Sequence, residues 1–104
     1  MMFKLLKVSG SSLLPKYRDG DFVLVSKIPY LFAPIKPGEV VAFRHTTYGT
    51  LIKQVQSVKP GGDEIHVVGT QEHSVDSRHF GAVRKRDLLG KVIWHIKKPA
   101  KFAI

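Results

Sequence analysis

Six short runs rich in valine, isoleucine, leucine and aromatic residues are strung along the chain, at Phe3–Val8, Asp21–Ser26, Glu39–Arg44, Thr50–Val58, Glu64–Val68 and Lys91–Ile96. Such side chains fit a pleated, half-buried surface. Asp19-Gly20, Pro37-Gly38 and Pro60-Gly61-Gly62 stand between runs, where glycine supplies positive φ and proline presets the turn. No long stretch repeats its apolar residues at helical spacing, so the pattern predicts an all-β, mainly antiparallel fold. Short helical turns fit at Leu13–Tyr17 and Arg84–Leu89, and the chain shows neither an internal repeat nor a linker.

With 104 residues, 43% of them hydrophobic and 24% charged, the sequence has the size and apolar content of one small folded domain, expected over residues 1–104. Lysine and arginine outnumber acidic residues 17 to 8, for a net charge of +9. That excess suits an anionic partner, whether nucleic acid, an acidic polypeptide or an anionic membrane surface, and charge alone does not choose among them. It is densest at Arg84-Lys85-Arg86 and Lys97-Lys98, where a merely solvated face explains it equally well. The absence of cysteine excludes disulfides and thiolate metal sites.

No segment approaches the roughly 18 to 20 apolar residues that span a bilayer. The stretch Met1–Val8 is too short and too interrupted by lysine for a secretory hydrophobic region. A cytoplasmic or peripheral membrane location is therefore expected. One segment, Ile28–Ile35, is strongly apolar yet carries Pro29 and Pro34, which bar it from a central strand. It is expected to cap the core; left exposed, it would suit peripheral contact with a membrane or an extended peptide.

The stretch Ser9-Gly10-Ser11-Ser12-Leu13-Leu14-Pro15 crowds hydroxyls ahead of an apolar pair and a proline. A surface turn uses such residues cheaply, but a nucleophile on a sharp turn has the same appearance. Serine needs a base to become nucleophilic. One candidate is histidine, because His73 and His79 flank Asp76 in sequence. The other is Lys53, which strict alternation places on one strand face with Leu51 and Val55. Burial among aliphatic side chains disfavours an ammonium and makes a neutral lysine available as a base. Spacing alone instead favours an edge-strand lysine whose amine reaches water.

Four stretches in order decide between them. Ser12 with Pro15 three residues on, then Gly20-Asp21 and Val23-Leu24-Val25; Pro37-Gly38-Glu39-Val40-Val41-Ala42-Phe43; Ile52-Lys53-Gln54-Val55; and Ser74-x-Asp76-Ser77-Arg78-x-Phe80-Gly81, closed by Gly90-Lys91-Val92, together resemble the catalytic core of bacterial type I signal peptidases. These belong to the Ser/Lys protease superfamily that also holds the SOS-repressor autoproteases. The resemblance runs over about residues 8–96 and implies a barrel-like or coiled-sheet domain. It implies Ser12 as nucleophile, Lys53 as general base, and Ser74 as the hydroxyl that holds the lysine. Asp76 and Arg78 match a supporting ion pair, so neither His73 nor His79 is needed.

The Ser12 backbone N–H is the natural first oxyanion donor. Relatives that use a serine hydroxyl as the second carry it where this chain has Gly10, so Ser9, Ser11 or backbone is expected to serve. Leu13 stands for the usual methionine, Lys16 for threonine, Gln54 for arginine, and Thr70-Gln71 for Asp-Asn. No cofactor is implied. The expected partner is a precursor polypeptide that loses an N-terminal leader or signal peptide, and small anchor-less relatives are similar to nickel-type superoxide dismutase maturation proteases. Two other classes compete: a catalytically silent relative that only binds peptides, and a basic β-barrel that binds nucleic acid with Tyr17, Phe22, Tyr30 or Phe43 as stacking platforms. Nucleic acid is the less favoured partner. His45, His66, His73, His79 and His95 show no ligand spacing and are expected to be scattered.

Overall fold

The computed structural model describes residues 3–8, 16–69 and 75–97. These residues form one seven-stranded sheet, antiparallel at every pairing. Its strands are β1 (Phe3–Lys7), β2 (Phe22–Ser26), β3 (Val40–His45), β4 (Gly49–Val58), β5 (Glu64–Val68), β6 (Val83–Arg84) and β7 (Leu88–Ile96). They lie in the order β1-β2-β7-β3-β4-β5-β6, so the sheet stays unclosed. Each of the six apolar runs is a strand. Sequence reading missed β6, which is two residues long, and the first three residues of β7.

Two four-residue helices complete the described fold, α1 (Pro29–Phe32) and α2 (Ser77–Phe80). Pro29 opens α1, a position where the missing N–H costs nothing. The helical turn expected at Arg84–Leu89 is confined to a 3-10 turn at Lys85–Asp87, and Leu88 already belongs to β7. The turn expected at Leu13–Tyr17 lies largely outside the described residues.

The sheet has two cores, one on each face. On β3, Val41 and Phe43 join Ile35, Val55, Ile65, Val67, Val83 and Leu88 in the first core. Their neighbours Val40 and Ala42 face the second, with Val8, Tyr17, Val23 and Val25. The split follows from alternation on a strand that is buried on both sides. Register shifts between Leu24 and Val25, between Ala42 and Phe43, and between Val55 and Ser57 mark where the ladder is interrupted. Bulges of this kind bend a strand and increase its twist. They let the two ends of one sheet enclose cores on opposite sides.

Gly90 sits where β7 passes between β2 and β3. A Cβ there would stand 2.5 Å from the backbone carbon and oxygen of Ser26, and φ is +150°. Both facts exclude a side chain, because the obstacle is backbone and cannot swing aside. Gly90→Ala is expected to cost about 3 kcal/mol or more, the upper end for overpacking, read as a fall in the urea midpoint with an unchanged slope.

Candidate active site

Lys53 lies in the middle of β4, directly opposite Val41 of β3, with β5 on the other side. The strand is interior, so the edge position that would carry the amine to water does not exist. Lys53 is 4% exposed. Its neighbours at alternate positions, Leu51 and Val55, pack in the first core. Burial pushes the amine below the usual lysine range, the Asp76 carboxylate restores part of that, and the Arg78 guanidinium lowers it again.

Asp76 is fully buried. It is the N-cap of α2, its Oδ1 accepting from the Arg78 backbone N–H at 3.0 Å. The Arg78 guanidinium grips it in a fork, Nε to Oδ1 at 2.9 Å and Nη2 to Oδ2 at 2.7 Å. The Gly69 N–H, just past β5, donates to Oδ2 at 2.9 Å. Burial alone would raise this carboxyl; the Arg78 side chain and the two backbone donors outweigh it and hold Asp76 far below the ordinary carboxylate range. The expected ion pair is therefore present.

Sequence reading missed the clamp that seats α2. The Ser77 hydroxyl accepts the Val67 N–H at 2.8 Å, tying the helix to β5. A serine directly after an N-cap aspartate was the available signal, but its partner ten residues upstream was not. His79 is exposed on α2. Sequence reading did not find the partner of His95, whose Nε2 lies 2.7 Å from Oδ2 of buried Asp21 and whose ring stacks on Tyr17 with centroids 4.4 Å apart. That cluster fixes the chain at residues 17–21, where Arg18 N–H also donates to Asp21 at 3.0 Å. Val8 and Asp21 are joined there by a backbone hydrogen bond of 2.7 Å. Ser12, Gly10, Ser11 and Ser74 lie outside the described residues, as do Ser9, His73, Thr70 and Gln71.

The site as described holds a buried amine and a buried, strongly ionised carboxylate whose charge an arginine balances. The profile of the family described as signal peptidase, peptidase S26, matches residues 1–71 of the chain. The chain belongs to the signal peptidase S26 family. The matched span contains Ser12 and Lys53 and stops short of Ser74, Asp76 and Arg78. Among curated proteins this family member is similar to Signal peptidase I V of Bacillus subtilis (strain 168), at 23% identity across 83% of this chain and 81% of that protein. Family membership supports peptidase activity in general.

Arg78 is one of the groups that lower Lys53, after burial. Removing its charge deletes one cause that lowers the amine and frees Asp76 to stabilise the ammonium. Arg78→Gln is therefore expected to move the Lys53 titration to higher pH, measured by NMR of the side-chain ε position. A titration unmoved or moved downward contradicts this electrostatic account.

Proposed function

We propose that the chain is a serine endopeptidase that removes an N-terminal leader or signal peptide from a precursor polypeptide, with Ser12 as nucleophile and Lys53 as general base. The observation that carries this reading is the burial of the Lys53 amine on an interior strand beside the Asp76–Arg78 pair. A base must be unprotonated at working pH, and a lysine meets that condition when burial outweighs its anionic neighbour.

In this reading the Ser74 hydroxyl holds the lysine in place. Lys53 takes the Ser12 proton as the serine oxygen attacks the peptide carbonyl, then gives it to the departing amine as the acyl-enzyme forms. Water, activated by the same amine, releases the product and regenerates the serine. The Ser12 N–H is one oxyanion donor, and with Gly10 lacking a hydroxyl the second comes from backbone, Ser9 or Ser11.

The test is cleavage of a precursor-derived peptide with small residues before the scissile bond. Ser12→Ala and Lys53→Met are each expected to lower kcat/KM by about a thousandfold while the fold persists. A base whose pKa is depressed works above that pKa, so wild-type activity rises with pH through a value below the ordinary lysine range. Replacing a buried amine by an apolar side chain of similar shape also removes a desolvation cost, so Lys53→Met is expected to melt about 4 °C or more above wild type. Near-full activity in either variant refutes the dyad. Ordinary activity in Ser12→Ala together with steep salt dependence of nucleic-acid binding would instead favour the basic-barrel reading.

Peripheral membrane contact is part of the same proposal, and the Ile28–Ile35 segment supports it in part. Ile35 is buried and Tyr30 packs on the first core, as expected for a cap. Leu31 and Phe32, however, are 69% and 86% exposed. A further apolar face runs over β1, β2 and β7, where Leu5, Leu24 and Trp94 stand side by side across the strands. Phe3, Phe22 and Ile96 extend it, all exposed. Lys4, Lys7 and Lys27 border these residues in sequence and are exposed. Flotation with phosphatidylglycerol vesicles is expected to carry the protein, and Leu31→Ser with Phe32→Ser to reduce it several-fold; equal flotation of the double variant would remove α1 from the contact.

A further inference from the structure

The basic run Arg84-Lys85-Arg86 takes no part in the reading above, and two of its exposed arginines line a concavity. A cavity of about 520 Å³ is lined by Arg44, His45, Thr46, Ala82, Arg84, Arg86 and Asp87. Arg44 comes from β3, Arg84 from β6 and Arg86 from the 3-10 turn, so arginines from three elements line one concavity. Alternation explains part of this. Phe43 and Val83 point into the first core, so Arg44 and Arg84 project from the outer side.

Positive charge exceeds negative around the cavity. Among the described residues no salt bridge joins Arg44, Arg84 or Arg86 to an acid. The cross-strand partner of Arg84 is Glu64, whose carboxylate is held by Lys59 at 3.0 Å and also feels the Arg84 charge. Asp87 is the single acid lining the cavity. Three like charges around a hollow repel one another, and a multiply charged anion relieves that repulsion. Guanidinium forks match the oxygens of a phosphoryl group bidentately, and the volume lies in the range of small-ligand sites. His45 adds a donor. Its Nδ1 accepts the N–H groups of Thr47 at 3.0 Å and Tyr48 at 3.3 Å, which places the ring proton on Nε2.

We propose that this arginine-lined cavity is a binding site for a compact anion carrying two or more phosphoryl groups, separate from the buried lysine. Lys85 supplies the internal control, since it sits between the two arginines in sequence but does not line the cavity. Titration calorimetry with pyrophosphate is expected to show saturable binding that weakens as salt rises. Arg44→Ala, Arg84→Ala and Arg86→Ala each weaken it about tenfold, the scale of one lost charged hydrogen-bonding pair, while Lys85→Ala changes it less than about twofold. All four side chains are exposed, so these variants fold, which circular dichroism checks. Displacement of pyrophosphate by cardiolipin vesicles, whose lipid carries two phosphate groups, would assign the phosphoryl groups to a lipid headgroup, and its persistence to a soluble phosphate; both keep the site. Absence of saturable binding, an equal loss in Lys85→Ala, or tighter binding of hexaglutamate than of pyrophosphate would overturn it.

Discussion

An amine shut inside a sheet is the constraint on which the rest depends. Lys53 is flanked by strands on both sides and by aliphatic residues on its own face, so the cost of its charge is set by what the surrounding fold provides. Asp76 provides an opposite charge, which by itself would restore the ammonium. Arg78 takes up that charge in a two-bond fork and leaves the amine mostly with the desolvation penalty. The three groups are thus linked electrostatically: Asp76 and Arg78 modify what burial does to Lys53, and Arg78 opposes what it does to Asp76. The Gly69 and Arg78 backbone N–H groups also hold Asp76, adding to the arginine's grip on the carboxylate.

That arrangement rests on a sheet with two cores rather than one. A flat sheet of seven strands in a chain of 104 residues would leave one face uncovered. Here the register shifts on β2, β3 and β4 mark bends, and the ends of the sheet close over opposite faces. The solution leaves two outer faces, one at each end. Over β5 and β6 the outer face carries Glu64, His66 and Arg84 and is polar, as an uncovered face should be. Over β1, β2 and β7 it carries Leu5, Leu24 and Trp94. The contrast within one sheet is what marks the second face as unusual, since scattered exposed apolar residues are ordinary.

The sequence made the strands legible because every long strand contains a dense run of β-formers bounded by turn residues. It also made the facing of Lys53 legible, through alternation with Leu51 and Val55. Whether that face was buried was not legible, because alternation fixes side-chain direction while strand order fixes what lies on either side. A lysine on β4 would reach water if β4 were an edge; it does not because β3 and β5 flank it. The same limit hid the meeting of His95 with Asp21, 74 residues apart, and of Arg44 with Arg84 and Arg86. Ile28–Ile35 divided for a related reason: a one-turn helix turns one side inward, so Tyr30 packs on the core while Leu31 and Phe32 cannot, and Ile35, past the helix, is buried in it.

Strands β3 and β7 are where these features are coupled. Val41 and Phe43 belong to one core and Ala42 to the other, so any slip of β3 by one residue would exchange the two sets and bury Arg44. Its pairing with β7 is secured where Ala42 faces Gly90, and Gly90 is pressed against the backbone of Ser26 on β2. The glycine thereby brings three backbones together where a side chain would hold them apart. Val41, one residue before Ala42, is the partner of Lys53. The position of the buried amine relative to the β1–β2 end of the sheet is therefore set by backbone contact through β7, to which Lys91–Glu39 and His95–Asp21 add side-chain ties.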